Sequence, residues 1–139
     1  MTTLILDPRL AADTLSLADL PLCRALLMND ARYPWVILVP RRESVCEVYE
    51  LDAVDQAQLW REATALGEAL NRAFQGDKLN IATLGNVVGQ LHLHLVVRFE
   101  RDAAWPGPVW GKGEAEPYTP EQQRERRELI LAHMDKLAL

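Results

Sequence analysis

A run of alternating apolar and polar residues places the strongest constraint on how this chain folds. The run is Gln90-Leu-His92-Leu-His94-Leu-Val-Val-Arg98-Phe99. Because successive side chains of a strand point to opposite faces, it predicts a strand with one buried apolar face. The residues of that face are Leu91, Leu93, Leu95, Val97 and Phe99. The residues of the opposite face are Gln90, His92, His94, Val96 and Arg98.

The polar face of this strand is a candidate functional site. Same-face neighbours in a strand are about 6.6 Å apart, so two imidazoles and a guanidinium line up where a ligand could lie. A single histidine on a half-buried strand is commonly just a hydrogen-bonded polar residue. Two on one face, beside Gln90 and Arg98, favour a functional interpretation.

Length, charge and the absence of a long apolar run limit the classes of protein to which this chain could belong. A chain of 139 residues is predicted to be one domain, spanning 1–139, with a proper hydrophobic core. The net charge of −5 argues against a general nucleic-acid binder, which needs clustered Lys and Arg. No stretch approaches the ~20 apolar residues of a membrane span and no basic-then-apolar leader is seen, so a cytoplasmic location is the default expectation.

Hydrophobic spacing and breaker residues predict the other elements. Two short apolar runs at 22–28 and 35–39 predict an antiparallel hairpin, and helical spacing from 52 to 74 predicts one long helix. A third strand is predicted at 78–84. Prolines and glycines between 105 and 120 predict a long loop, after which Thr119, Pro120 and Gln122 give the capping signals of a C-terminal helix, about 119–136.

The histidine motif and the order of elements resemble the histidine triad (HIT) superfamily, whose signature is His-x-His-x-His followed by two apolar residues. The similarity covers roughly residues 20–111, including Leu27-Met28-Asn29-Asp30 and Trp35-Val36-Ile37-Leu38-Val39-Pro40-Arg41. It implies an α+β, HIT-like fold with an antiparallel sheet of about five strands, one long helix and a C-terminal helix. It also implies a homodimer, in which pairing would hide an edge strand.

The resemblance implies a hydrolase or nucleotidyltransferase that acts on a nucleoside phosphoramidate, a dinucleoside polyphosphate or a similar nucleotide ester. The central imidazole, here His92, would attack the α-phosphorus and form a covalent nucleotidyl-histidine, with no cofactor and no metal in the chemical step. Imidazole is substantially neutral near pH 7, so its lone pair is available without an external base. Its second nitrogen then needs an acceptor, for which a backbone carbonyl is expected.

Other residues take their expected roles from the same resemblance. His94 would contact the phosphate or the neighbouring loop, Asn86 the phosphate and Asn29 the ribose, although both asparagines could simply form turns. Trp105, like Trp110, could close over a base or pack against the sheet or a partner.

Two further features leave alternatives open. Arg98, on the histidine face, could reach a phosphate or pair with a nearby acid. Gln90 replaces the first histidine of the signature and cannot carry a proton charge, and the loop 87–89 lacks the Ser or Thr hydroxyl that is usual there.

These departures keep two other hypotheses in view. One is a nucleotide-binding protein that has lost efficient catalysis. The other is a metal site on His92 and His94, although zinc normally takes three or four protein ligands and the remaining histidine, His133, lies on the distant C-terminal helix.

Overall fold

The computed structural model describes residues 4–139 and contains a five-stranded antiparallel sheet flanked by helices. The elements in chain order are α1 (Pro8–Asp13), β1 (Thr14–Asp19), β2 (Cys23–Met28), β3 (Trp35–Pro40), α2 (Ala53–Ala73), β4 (Lys78–Ala82), β5 (Leu93–Arg98) and α3 (Pro120–Met134). The spatial order of the strands is β1-β2-β3-β5-β4. The predicted α+β class, with one long helix and a C-terminal helix, is confirmed.

The long helix α2 spans nearly the range, 52–74, that its helical spacing predicts. The side chain of Asp52 accepts the backbone N–H of Asp55, which satisfies one of the free donors at the first turn. The buried face of α2 consists of Leu59, Glu62, Ala63, Leu66, Gly67 and Leu70. This face packs on β4 and β5, so the helix covers one side of the sheet.

The C-terminal helix α3 also begins at a side-chain cap. Thr119 and Gln122 form a reciprocal capping box, and Pro120 occupies the first turn, where its missing N–H has no cost. Ile130 and Met134 bury themselves in the same core as α2. Among residues 4–139, none of the helices combines the length and the apolar character needed to cross a membrane.

The second face of the sheet is also covered, and this differs from the prediction of a polar, accessible face. A separate cluster includes Leu26, Ile37 and Val96 from the strands, with Leu10 from α1 and Val109 from the loop after β5. All six residues of β5 are buried. The covering segments are α1 and the loop after β5, and strand periodicity carries no information about either of them.

The start of β5 and the elements near the N-terminus also differ from the prediction. β5 begins at Leu93, so Gln90 and His92 precede the paired strand. β1 and α1 were not predicted, because the recognised elements began near residue 20. Leu15 and Leu17 nevertheless alternate with polar residues in β1, which pairs with β2 through an irregular register.

Candidate functional site

His92 lies in the extended segment immediately before β5 and is 8% exposed. Its Nδ1 is 2.7 Å from the backbone carbonyl oxygen of Gln90. A carbonyl oxygen only accepts, so the Nδ1–H donates and the proton is fixed on that nitrogen. In the neutral ring the lone pair of Nε2 is then free, and the acceptor is a backbone carbonyl, as the sequence led us to expect.

His94 has the opposite arrangement. The indole Nε1–H of Trp35 donates to His94 Nδ1 at 3.0 Å, so this nitrogen is unprotonated and Nε2 carries the proton. Burial, and to a lesser extent the neighbouring His92, lowers the pKa of His94 to about 3. His94 is therefore an uncharged hydrogen-bond donor throughout the physiological pH range.

Two tryptophans pack against the ring of His94, which also lies beside His92. The ring centroids of His92 and His94 are 4.8 Å apart. The ring of Trp110 meets His94 edge-on at 5.1 Å and Trp35 at 5.9 Å. Trp110 thus brings the loop after β5 onto His94.

Trp35 was not recognised from the sequence as part of this site. A signal for it existed in the strand pairing: Ile37 lies opposite His94 in the β3–β5 register, which puts Trp35 one same-face step away.

Gln90 does not line up beside the imidazoles, because the chain is not yet a strand there. Its side-chain Oε1 accepts the N–H of Asp7 at 2.8 Å, and its Nε2 donates to the carbonyl of Ile5 at 2.9 Å. The carboxamide therefore ties the N-terminal segment to the histidine loop. A cavity of about 480 Å³ lies next to this contact, lined by residues 4–8, 41–46 and Gln90.

Arg98 is placed as a buried ion pair, the second of the alternatives considered for it. Its side chain is 2% exposed and makes a bidentate contact to Asp102 at 2.8 and 3.0 Å. It also donates to Asn80 Oδ1 and to the carbonyl of Gly107, both at 2.8 Å. These four bonds occupy the guanidinium, so it anchors the loop after β5 to the sheet and has little capacity left for a phosphate.

Asp102 and Trp105 complete that anchor. Burial alone would raise the pKa of Asp102, but hydrogen bonds from Arg98 and from three backbone N–H groups lower it to about 2. The ring of Trp105 lies 5.6 Å from the Arg98 guanidinium carbon. Of the two loop tryptophans, Trp110 contacts His94 and Trp105 packs on the ion pair.

The two predicted asparagines lie in different settings. Asn29 follows β2, and its Oδ1 accepts the backbone N–H of Tyr118 at 2.9 Å, which ties this turn to the start of α3. Asn86 is exposed in the loop between β4 and β5. The structure thus brings His92 and His94 together, while Asn29 has a structural hydrogen bond of its own.

The histidines provide few free ligands for a metal. Each has one nitrogen engaged, by the Gln90 carbonyl or by Trp35, which leaves one nitrogen per ring. His133 lies on α3, which packs in the core on the other side of the sheet. Within residues 4–139 no group of three or more His, Cys, Asp or Glu residues is placed to hold a metal ion.

The family model and the similar solved structures all point to histidine triad proteins. The HIT domain family model matches residues 9–101. A histidine triad protein from Marinobacter aquaeolei is 51% identical, with 96% of this chain and 98% of that chain covered and a TM-score of 0.94. A histidine triad (HIT) protein from Sinorhizobium meliloti is 47% identical, with 99% of both chains covered and a TM-score of 0.93.

A third relative, a histidine triad protein from Bradyrhizobium japonicum, is 43% identical, with 93% of this chain and 96% of that chain covered and a TM-score of 0.90. A comparison with functionally curated proteins found no match. The family model covers more than half of the chain, and the three relatives match it over nearly their full lengths. The chain therefore belongs to the histidine triad (HIT) family.

Proposed function

We propose that this protein is a nucleotide hydrolase or nucleotidyltransferase in which His92 attacks the α-phosphorus of a nucleoside phosphoramidate, a dinucleoside polyphosphate or a similar ester. The observation that carries the proposal is the 2.7 Å contact from His92 Nδ1 to the Gln90 carbonyl. It places the proton of the neutral imidazole on Nδ1 and leaves the Nε2 lone pair free to act as the nucleophile.

The reaction has two displacements. The Nε2 lone pair forms a bond to phosphorus, and the bond to the leaving oxygen or nitrogen breaks with its electron pair going to the leaving group. In hydrolysis, water then adds to phosphorus and the P–N bond breaks, returning the pair to Nε2. Hydroxyl ends on the nucleoside monophosphate and the remaining proton ends on the leaving group, so His92 is regenerated.

The surroundings of His92 suit the intermediate. Once Nε2 is bonded to phosphorus the imidazole becomes positively charged, and its Nδ1–H bond to the Gln90 carbonyl becomes a stronger, charge-assisted one. The Nε2–H of His94 is a fixed donor nearby, with the two ring centroids 4.8 Å apart. Donors aimed at phosphoryl oxygens supply most of the stabilisation in phosphoryl transfer.

Intact-protein mass spectrometry with product analysis tests the proposal. Wild type, His92→Ala and the matched control His133→Ala are mixed with adenosine phosphoramidate and with diadenosine polyphosphates. We expect AMP, or an adenylyl adduct, with the wild type and the control and neither with His92→Ala. Equal turnover by His92→Ala would refute the assignment of the nucleophile.

The alternative is a nucleotide-binding protein that has lost efficient turnover. It is favoured by the loop Val87-Val88-Gly89, which has no hydroxyl to assist a leaving group, and by the near burial of both histidines. Calorimetric binding of AMP without adduct or product from either substrate class would support this alternative.

We also propose a homodimer formed through β4. This strand lies at an edge of the sheet, and an unpaired edge is a template for pairing with another chain. Trp60 on α2 is 57% exposed and lines a surface cavity together with Ile81 of β4. Val54 and Val87 are 77% and 70% exposed. A second copy, paired along β4, would cover this apolar surface.

Light scattering after size exclusion tests the dimer. We expect a dimer for the wild type, monomers for Trp60→Glu, and a dimer for Leu129→Glu, which places the same charge on α3 at a residue that is 41% exposed. A monomeric wild type would refute the proposal. The cytoplasmic location and the absence of nucleic-acid binding remain predictions from the sequence.

A further inference from the structure

We propose that Trp35 is a positioning residue that holds His94 as an Nε2–H donor beside the nucleophilic histidine. The inference rests on the proposed function for its chemical role, but the contact itself can be tested without any substrate. Its basis is the hydrogen bond from Trp35 Nε1 to His94 Nδ1, 3.0 Å long and buried.

The chemistry of the two rings leaves one arrangement for this bond. An indole nitrogen can donate but cannot accept, so His94 Nδ1 must be the acceptor and must be unprotonated. In the other tautomer of His94, two N–H groups would face each other and the buried indole donor would lose its partner. From the cost of an unpaired buried donor, this tautomer is disfavoured by about tenfold or more.

The position of Trp35 is rigid enough to enforce this choice. Trp35 is 4% exposed and belongs to β3, where it pairs with Val96 of β5. Its ring also packs edge-on against Tyr33 at 6.3 Å and Trp110 at 5.9 Å. The direction of the indole N–H is therefore set by the sheet and by its aromatic neighbours.

This arrangement gives the two histidines complementary atoms. His92 is held with a lone pair on Nε2, whereas His94 is held with a proton on Nε2. A phosphoryl group bonded to the first could accept a hydrogen bond from the second. Proton transfer from His94 is not part of this role, because the donor keeps its proton while it stabilises negative charge on the phosphoryl oxygen.

Trp110 provides a matched control for a substitution of Trp35. Both indoles contact the ring of His94, but Trp110 does so only by edge packing, at 5.1 Å between centroids. Trp35→Phe removes the donor and keeps most of the aromatic bulk, and Trp110→Phe makes the same change without touching the hydrogen bond. Trp35→His restores a ring N–H and serves as the rescue variant.

Long-range ¹H–¹⁵N correlation spectra of ¹⁵N-histidine-labelled protein at pH 7 report the tautomer. We expect a single Nε2–H tautomer for His94 in wild type and Trp110→Phe, and a mixture of tautomers in Trp35→Phe. An Nδ1–H tautomer in the wild type would overturn the inference even if the variants did not fold. An unchanged His94 tautomer in folded Trp35→Phe would also overturn it.

Kinetics separate this inference from the proposed function. If the wild type turns over nucleotide esters, we expect Trp35→Phe to lower kcat by about tenfold with little change in KM, and Trp35→His to recover part of the loss. A tautomer change without wild-type turnover would support the role of Trp35 as a positioning residue and count against the proposed activity alone. A lower kcat in Trp35→Phe with an unchanged tautomer would contradict the role assigned to Trp35.

Discussion

Acidification is expected to destabilise this protein through His94 in particular. In the folded protein, burial and the neighbouring His92 lower the pKa of His94 to about 3, whereas an unfolded chain has a histidine pKa near 6.5. Below pH 6.5 the unfolded state therefore binds a proton that the folded state does not. Stability that is fully present above pH 6.5 is lost as the pH falls toward 3.

The size of the effect follows from the difference between the two pKa values. Each pH unit in this window changes the free energy of unfolding by about 1.4 kcal/mol per proton. Between pH 7 and pH 4.5, His94 should therefore cost roughly 2.5 kcal/mol of stability. Raising the folded-state pKa by one unit would change this figure little, since the folded imidazole would still be mostly neutral at pH 4.5.

Urea unfolding of wild type and His94→Asn at several pH values isolates the contribution. Asparagine offers an oxygen to the Trp35 N–H but takes up no proton. All other ionisable groups are the same in the two proteins, so the difference between their pH curves reports mainly on residue 94. Between pH 7 and pH 4.5, at a fixed protein concentration, we expect the free energy of unfolding of the wild type to fall by about 2.5 kcal/mol more than that of His94→Asn. Parallel pH curves would show that His94 titrates normally and would refute the reasoning.

Two further predictions concern the segments that cover the histidines. Gln90→Ala removes the side-chain hydrogen bonds to the N-terminal segment. Backbone amide exchange in residues 4–10 should therefore accelerate by about tenfold or more, while residues 93–98 stay protected. Unchanged exchange would show that the Gln90 carboxamide does not hold the segment. Asp102→Ala leaves Arg98 buried without its acid and should cost about 3–5 kcal/mol in urea unfolding. Asp19→Ala, in an exposed ion pair, should cost less than about 1 kcal/mol, and equal losses for the two variants would argue against a structural role for the buried pair.

Short-range sequence patterns, such as helix caps and strand alternation, were enough to predict α2, α3 and β5. The caps at Asp52 and Thr119 are interactions between residues three apart, so the starts of α2 and α3 could be predicted from a few positions. Strand alternation likewise located β5 to within three residues.

The site depends on contacts between distant parts of the chain. The partners of Gln90 are 83 and 85 residues away, and Trp35 is 59 residues from His94. Alternation placed Gln90 and Arg98 on the histidine face. It could not show that the Gln90 side chain bonds to the N-terminal segment, or that Arg98 pairs with Asp102. The family resemblance pointed to His92 and His94, while the tautomer of each ring depends on three-dimensional contacts.

The two histidines are chemically different because different groups meet the same atom of each ring. Nδ1 of His92 faces a carbonyl, which only accepts, and Nδ1 of His94 faces an indole N–H, which only donates. The rings are therefore held in opposite tautomers although their centroids are 4.8 Å apart. An Nε2 lone pair on the neutral His92 ring and an Nε2–H donor on His94 can thus lie side by side at one site. This division of roles uses β3 and the backbone of Gln90, so it does not require the side chain of Gln90 to be a histidine.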